Sequence, residues 1–260
     1  MKQMRRIRLI IAYDGTAYVG WQTQPTGVSV QETVERALRE VTKQPIALHG
    51  SGRTDSGVHA LAQVAHFDTD ARMAADKFAI AVNMHLPPDI RVLWSEECDP
   101  GFHARFSAKK KQYLYRIHIG AHADVFSRNT ALQLHHVPDF DAMQSAAADV
   151  VGTHDFRAFM SSGTSMENTV RTVEQSEWRK EGAFWIYTVT GNGFLYNMVR
   201  ILVGTMLDIG EHRLPADAIR TALSSAKRTD AGPTAPAHGL TLARVIYPDF
   251  DTEEVLRHDR

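Results

Sequence analysis

The feature that most constrains the fold is the order in which the hydrophobic pattern changes period along the N-terminal half. A β-rich apolar run covers residues 6–13 and ends at Asp14-Gly15, a typical turn pair. After a loop that contains Gly and Pro, Ser29 and Glu32 form a capping-box pair, and apolar residues then recur at helical spacing until Pro45. The sequence therefore predicts a strand followed by a helix.

The same half continues with three more extended runs and one more helix. Strands are predicted over Ile46–His49, Val58–Phe67 and Ile90–Ser95, and a short helix over Lys77–His85. The resulting order of strand, helix, strand, strand, helix and strand is that of a ferredoxin-like unit.

The second half repeats this order of elements without repeating the sequence. The predicted strands are Lys111–Ile119, Thr169–Arg179, Phe184–Thr190 and Leu240–Tyr247, and the predicted helices are Asp141–Val151, Phe194–Ile209 and Ala216–Ser225. We therefore expect an α+β protein of two ferredoxin-like halves, residues 1–105 and 106–247, with helices packed on a mixed, mainly antiparallel central sheet. The charged tail at residues 248–260 is expected to be loose.

Composition and cysteine content narrow the class of protein. Hydrophobic residues make up 43% and charged residues 23% of the 260 residues, which is typical of a soluble globular protein. The one cysteine, Cys98, excludes an intramolecular disulfide and any zinc site built on paired cysteines, and it favours the cytoplasm. The apolar run at residues 9–12 is too short for a signal peptide, and the run at 194–209 is interrupted by polar residues, so no membrane segment is predicted.

The balanced net charge conceals local basic runs. Lys and Arg number 29 against 30 Asp and Glu, and the net charge of -1 by itself argues mildly against a nucleic-acid partner. Basic residues nevertheless gather from Lys2 to Arg8 and from Arg105 to Arg116, and the second run contains no acidic residue. Such a run can contact a phosphate backbone, although short charge runs more often form solvated surface.

A glycine-rich loop between two predicted strands places a carboxylate close to a guanidinium in the chain. The loop and its flanks read Gly50-Ser51-Gly52-Arg53-Thr54-Asp55-Ser56-Gly57-Val58-His59-Ala60. Glycine allows a tight turn and a close approach of the backbone to a ligand. An ordinary hairpin turn is the alternative, because Asp-Ser-Gly is common turn chemistry.

The string Gly-Arg-Thr-Asp-x-Gly-Val-His-Ala within this loop closely resembles the catalytic loop of the tRNA pseudouridine synthase A (TruA) family. The resemblance extends along nearly the whole chain, and the segment after Tyr247 is the least similar to the family. The other matching strings are residues 13–16, 20–22, 102–108, 111–115, 193–200 and 236–240.

The resemblance implies an isomerase that converts uridine to pseudouridine at positions 38, 39 and 40, in the anticodon stem-loop of tRNA. It further implies that Asp55 is the nucleophile and that two subunits together bind tRNA as a homodimer. We expect no cofactor, because the isomerisation is redox-neutral and the sequence has no recognisable nucleotide-cofactor motif. A carboxylate can attack covalently and leave again. Three chemical routes are consistent with the residues: attack at C1′, formation of a glycal, and addition to C6 of the uracil.

The resemblance also implies roles for three further residues. Arg200 is implied to form an ion pair that keeps Asp55 ionised away from water, and the exposed face of an apolar helix is the alternative position. Arg53 is implied to enter the RNA stack where the flipped base was, and a surface ion pair is its alternative role. Tyr113 is implied to stack on the flipped uracil.

Aromatic and basic residues are interleaved around Tyr113. Tyr113 and Tyr115 share one face of the predicted strand, and the strand pattern alone predicts core packing for one of the two. Lys109, Lys110 and Lys111 precede them, and we expect these lysines to bind RNA phosphates.

The 13 histidines do not predict a metal site. The adjacent His135 and His136 point to opposite sides of a strand, and no His-x-x-x-His with a nearby carboxylate falls on a predicted helix. We therefore expect no metal ion. The alternative functions are a non-catalytic RNA-binding module, in which Asp55 is only a turn residue, and a metal-dependent hydrolase.

Overall fold

The structure of the protein, a computed structural model, describes residues 4–161 and 166–258. Lys2 of the predicted basic run and residues 259–260 of the predicted tail lie outside the described residues. The described chain forms two compact units, one of residues 4–109 with 242–258 and the other of residues 110–241. The first division lies close to the predicted one after residue 105. Residues 242–247, predicted in the second half, and the described tail residues 248–258 both belong to the first unit.

Helices and strands are interspersed along the chain, and both units contain both kinds of element. In chain order the elements are β1 (Arg5–Tyr13), α1 (Val30–Thr42), β2 (His49–Gly50), β3 (His59–Thr69), α2 (Lys77–Asn83), β4 (Ile90–Cys98), β5 (Lys110–Ile119), β6 (Leu132–Leu134), α3 (Phe140–Ala148), β7 (Gly152–Asp155), β8 (Val170–Glu181), β9 (Phe184–Gly191), α4 (Met198–Gly210), α5 (Ala218–Ser225), β10 (Leu240–Ile246) and α6 (Thr252–His258). Short 3₁₀ turns lie at Gly15–Ala17, Arg157–Phe159, Arg228–Asp230 and Ala237–Gly239. The predicted α+β class is confirmed.

The sheet of the first unit is built around β1. This strand lies between β4 and β3 and is antiparallel to both, and β10 lies on the far side of β3. The short β2 also pairs with β3, antiparallel, so that His49 lies opposite His66. Ile7, Leu9 and Ile11 of β1 are fully buried, which makes this strand the centre of the core of the first unit.

Helix α1 begins and ends where the sequence predicts. The Ser29 hydroxyl accepts a hydrogen bond from the backbone N–H of Glu32 at 3.1 Å, as an N-cap does. At the other end Lys43 adopts the left-handed conformation, with φ 57°, and Pro45 follows. Val34 and Leu38 are one turn apart and fully buried, so the apolar face of α1 belongs to the core.

Only the last residue of the strand predicted over Ile46–His49 is paired in the sheet, because side chains of helix α1 form hydrogen bonds with the backbone of Leu48. The N–H of Leu48 donates to the carboxylate of Glu35 at 2.9 Å, and its carbonyl accepts from the side-chain amide of Gln31 at 3.0 Å. Backbone groups that are satisfied by side chains are not available for a sheet ladder. The paired strand β2 therefore starts only at His49.

The prediction of a loose C-terminal tail was wrong for residues 248–258. Thr252 is fully buried at the start of α6, and its hydroxyl accepts the N–H of Val245 at 3.0 Å. Phe250 is only 6% exposed, and the guanidinium carbon of Arg8 lies 3.9 Å from its ring centroid. Despite the charged composition of the tail, these buried contacts attach it to β1 and β10.

The strands of the second unit follow the order β5-β9-β8-β7 with antiparallel pairing, and β6 is added parallel to β5. Helix α4 begins at Met198 instead of the predicted Phe194, because Asn197 has φ 61° and interrupts the helical backbone. Asparagine is one of the few residues that tolerate this conformation. Within the described ranges, no helix has the length and hydropathy needed to cross a lipid bilayer.

Candidate active site

The predicted catalytic loop connects β2 to β3 in the first unit, and its first residues are attached to β3. The buried Ser51 has its hydroxyl 2.6 Å from the side-chain oxygen of Gln63, and its backbone N–H donates to the carbonyl of Val64 at 2.7 Å. The side-chain amide of Gln63 donates in turn to the carbonyl of Gly52 at 2.9 Å. Since Gln63 is fully buried, the start of the loop is fixed to the core of the unit.

The loop closes in a tight turn immediately after Asp55. The N–H of Val58 donates to the carbonyl of Asp55 at 3.1 Å, and Gly57 has φ 77°, in the left-handed region that favours glycine. Val58 is buried and anchors the end of the turn. The local geometry is thus the tight turn that the Asp-Ser-Gly string indicates, and it carries the Asp55 carboxylate on a fixed backbone.

Residues 13–21 form a second segment that contacts this loop. The hydroxyl of Tyr13 lies 2.8 Å from Oγ1 of Thr54, and the backbone N–H of Trp21 donates to the carbonyl of Thr54 at 3.1 Å. Gly20 has φ 108°, and a Cβ at this position would lie 2.5 Å from the same carbonyl. Glycine is therefore required at position 20 for the two backbones to approach this closely.

The end of the loop is held by His59. Its Nδ1 accepts the N–H of Gly15 at 3.0 Å and lies 3.1 Å from the carboxylate of Asp14. Burial raises the pKa of Asp14, but hydrogen bonds from Thr16 together with the nearby His59 outweigh it, and the pKa of Asp14 falls below its ordinary value. A Cβ on Gly15 would lie 2.0 Å from the carbonyl of Val58, so the contact between the two segments is again backbone to backbone.

Asp55 and Arg53 differ in accessibility. Asp55 is half-buried and Arg53 is exposed, whereas Thr54 between them is buried. The loop therefore presents one guanidinium to solvent and keeps the carboxylate partly shielded.

In the second unit, the two tyrosines of β5 occupy different environments. Tyr115 is fully buried, and its hydroxyl donates to the carbonyl of Pro236 at 2.9 Å. Burial raises the pKa of Tyr115. Tyr113 is 8% exposed, and its ring meets that of Phe194 edge to face at 5.2 Å. Both tyrosines are thus buried, Tyr115 completely and Tyr113 nearly so.

Arg200 is half-buried on α4 and has a fixed orientation. Its Nε donates to the carbonyl of Ala235 at 2.7 Å, and one Nη donates to Oδ1 of Asn197 at 2.8 Å. The other residues of this helix are buried apart from Asp208, which is also half-buried. The guanidinium is therefore held by its own unit instead of extending into solvent.

The three predicted phosphate-binding lysines are not equivalent. Lys110 forms an ion pair with Glu174 at 2.6 Å, which neutralises part of its charge. Lys109 is exposed, and its backbone N–H donates to the carbonyl of Ile246 at 2.8 Å. Lys111 is half-buried.

No group of three or more His, Cys, Asp or Glu side chains placed to hold a metal ion occurs in the described part of the chain. The sequence did not assign a role to Tyr13, Thr54 or His59, although these residues hold the loop. The signal available in the sequence was the pair of glycines at positions 15 and 20, which marks a segment that another backbone approaches closely.

Comparisons with known proteins agree with the string in the loop. The family model described as tRNA pseudouridine synthase matches residues 9–107 and 146–248. A tRNA pseudouridine synthase A from Acetivibrio thermocellus is 46% identical over 244 residues, which cover 94% of this chain and 100% of the relative. One from Geobacillus kaustophilus is 47% identical over 247 residues, which cover 94% of this chain and 95% of the relative.

A solved archaeal box H/ACA sRNP Nop10-Cbf5 complex is similar at 13% identity and a TM-score of 0.35, over 77% of this chain and 44% of the matched chain. The identity to the curated relatives extends over nearly the whole chain and includes the segment that forms the Asp55 loop. The chain therefore belongs to the tRNA pseudouridine synthase family.

Proposed function

We propose that the protein isomerises uridine to pseudouridine at positions 38, 39 and 40 of the anticodon stem-loop of tRNA. Membership of the tRNA pseudouridine synthase family supports the class of reaction and the substrate. The observation that carries the proposal is the loop at residues 51–58, which holds a half-buried carboxylate on a backbone fixed by hydrogen bonds at both ends.

The reaction that this loop would catalyse breaks one bond to the ribose and forms another. The bond between N1 of uracil and C1′ of ribose breaks, the base turns, and a bond forms between C5 and C1′. C5 loses a proton and N1 gains one, so that no atom is added or lost overall. Asp55 is proposed as the nucleophile that holds the intermediate between the two events.

Three further side chains complete the proposed site. Arg200 is proposed to pair with the Asp55 carboxylate and keep it ionised, Tyr113 to stack on the flipped uracil, and Arg53 to occupy the vacated place in the RNA stack. Support comes from the fixed guanidinium of Arg200, the ring of Tyr113 next to that of Phe194, and the exposure of Arg53. A flipped base needs such contacts, because leaving the stack costs several kcal/mol.

The experiment is to map pseudouridine at nucleotide resolution after the purified protein has acted on unmodified tRNA. The wild-type protein is expected to modify positions 38 to 40, in the presence of a chelator as well as without it. Asp55→Asn has nearly the same shape as the wild-type side chain but lacks the charge, and it is expected to bind tRNA and form no pseudouridine. Turnover by Asp55→Asn or Asp55→Ala would exclude the proposed nucleophile, and binding without product by the wild type would leave an RNA-binding module.

We further propose that the protein acts as a homodimer in the cytoplasm, with Lys109, Lys110 and Lys111 contributing to RNA binding. The family resemblance supports the dimer, and the single cysteine is consistent with a reducing compartment. The ion pair with Glu174 neutralises part of the charge of Lys110, whereas Lys109 is exposed. Substitution of Lys109 is therefore expected to weaken tRNA binding more than substitution of Lys110. Sedimentation equilibrium would measure the mass, and a monomer that is fully active would contradict the dimer.

A further inference from the structure

A cluster of aromatic rings lies outside the loop just described, on the same unit. The ring of His66 stacks on that of His49 at 5.1 Å and meets that of His103 at 4.7 Å. The ring of Phe106 follows at 4.4 Å from that of His103. His66 is buried, whereas Phe106 is 76% exposed, so the cluster runs from the core of the unit to its surface.

The exposure of Phe106 is built into a closed turn. The N–H of His103 donates to the hydroxyl of Ser107 at 3.0 Å, and the N–H of Ser107 donates back to the carbonyl of His103 at 2.9 Å. Inside the turn, Nδ1 of His103 accepts the N–H groups of Arg105 at 3.1 Å and of Phe106 at 3.4 Å. The hydrogen-bonded turn thus holds the Phe106 ring in solvent, although exposing apolar area is unfavourable in free energy.

The turn is attached to the strands beneath it. The N–H of Ala104 donates to Nδ1 of His66 on β3 at 3.1 Å. The guanidinium of Arg6 on β1 donates to the carbonyls of Pro100 and Phe102, at 2.6 and 2.7 Å, and pairs with Asp68 at 2.7 Å. The base of the cluster is therefore rigid.

The cluster combines uncharged rings with positive charge at its edge. Burial, and then the nearby Arg6, lower the pKa of His66 to about 4, and burial, followed by the neighbouring His49, lowers the pKa of His103. Both rings are then neutral near pH 7. The positive charge comes from Arg105, whose guanidinium carbon lies 5.7 Å from the ring centroid of Phe106, and from the exposed Lys109. Asp68 is an acid near these rings, and Arg6 neutralises it.

We propose that Phe106, together with His103 and Arg105, is a second nucleotide-binding site, where a base of the substrate RNA stacks on the Phe106 ring while Arg105 contacts a neighbouring phosphate. This proposal rests on the proposed function. The exposed apolar group is one ring among imidazoles and cations, and that combination fits a nucleobase and its phosphate. The cluster is also joined to the catalytic loop, because β2 carries His49 and leads directly into Ser51 and the residues up to Asp55.

The test compares three substitutions of Phe106 in the full-length protein, with unmodified tRNA as the probe. Phe106→Leu keeps apolar bulk without a π face, Phe106→Trp keeps the π face, and Phe106→Ala removes both. We expect Phe106→Ala and Phe106→Leu to raise the Kd for tRNA, and the KM, by roughly 5- to 100-fold, with an unchanged kcat. Phe106→Trp should bind like the wild type. All three should unfold at the wild-type temperature, because the side chain is exposed.

Salt dependence separates the ring from the cation. Arg105→Gln should reduce the slope of log K against log salt concentration by about 0.7 to 0.9, the contribution of one phosphate contact, whereas Phe106→Ala should leave the slope unchanged. Wild-type affinity in Phe106→Ala or Phe106→Leu would overturn the stacking site. A loss of dimer mass in Phe106→Ala would overturn it in favour of a contact between protein subunits. Absence of pseudouridine with the wild type would refute only the proposed function, since the binding series tests the stacking site independently.

Discussion

The hydroxyl of Tyr13 lies 2.8 Å from Oγ1 of Thr54, and this buried hydrogen bond joins the end of β1 to the residue before Asp55. The backbone of Thr54 is held as well, by the N–H of Trp21. In the proposed function Asp55 is the nucleophile, and such a group must be held within a fraction of an ångström of its productive position, since a displacement of about 1 Å can cost roughly 100-fold in rate. We therefore regard Tyr13 and Gly20 as positioning residues for the Asp55 carboxylate.

Tyr13→Phe should lower the rate of the chemical step and cause only a small loss in the free energy of unfolding. The substitution leaves the Thr54 hydroxyl without its buried partner, at about 1 kcal/mol in the free energy of unfolding, and we expect roughly a tenfold loss in single-turnover rate. Tyr187→Phe is a matched control, because it removes a similar buried bond of 2.8 Å to Ser176 in the second unit. Equal losses of rate in the two variants, measured at saturating tRNA, would show that Tyr13 acts only through stability.

Gly20→Ala should be far more damaging than Gly182→Ala. Both glycines have positive φ, 108° and 60°, so both substitutions introduce backbone strain of about 1–2 kcal/mol. Only at Gly20 would the new Cβ meet backbone, 2.5 Å from the carbonyl of Thr54, whereas nothing lies within 4 Å at Gly182. We expect Gly20→Ala to lose most of its pseudouridine formation and Gly182→Ala to retain it. Near-normal product from Gly20→Ala would mean that the loop can shift without harm.

Stability should fall as the pH drops from about 6.5 toward 4 because of His66. Its pKa is lowered to about 4 in the folded state, chiefly by burial, so below the ordinary value of 6.5 the unfolded chain binds the proton first. The loss approaches about 3 kcal/mol below pH 4 and is absent above pH 7. His66→Asn keeps an acceptor for the N–H of Ala104 but does not titrate, so chemical denaturation across this range should show a shallower pH dependence. An unchanged pH dependence would assign the effect to other groups.

Phe250→Ala should destabilise the protein by about 3 kcal/mol or more. The ring is 6% exposed, contacts the Arg8 guanidinium at 3.9 Å and stacks on Trp94 at 5.4 Å, so truncation leaves a cavity and an uncovered cation. Phe126→Ala, at a ring that is 95% exposed, is the control and should leave the denaturation midpoint unchanged. Similar midpoints for the two variants would contradict the buried role of the tail.

Local signals in the sequence predicted the parts of the fold that local chemistry determines. Ser29 and Pro45 defined α1 to within a few residues, and the string around Asp55 identified the loop. Three deviations had causes that a linear pattern does not contain. Residues 46–48 were not paired because side chains of α1 satisfy Leu48, and α4 started late because Asn197 takes a left-handed conformation. The tail was packed because Phe250 reaches Arg8, which is distant in sequence.

In the candidate site, too, local sequence predicted some features, and contacts between distant residues determined the others. The residue types at positions 53 and 55 could be read from the sequence, but their support could not. Tyr13 meets Thr54 only because β1 and β3 pair in a register that places Tyr13 opposite Ala60. That register depends on contacts between residues far apart in the chain, so the sequence indicated two glycine positions without indicating what approaches them.

Residues 242–258 complete the sheet next to β3, so the first unit is made of two segments of the chain. The ribosome synthesises the whole of the second unit between these two segments. A nascent chain has every residue of the second unit once position 241 has emerged from the ribosome, while β3 still lacks β10 as its neighbour. A polypeptide terminated before that point would contain the Asp55 loop on an unfinished sheet. A chain that stops at position 241 is therefore expected to form no pseudouridine, because the sheet that carries the Asp55 loop lacks β10.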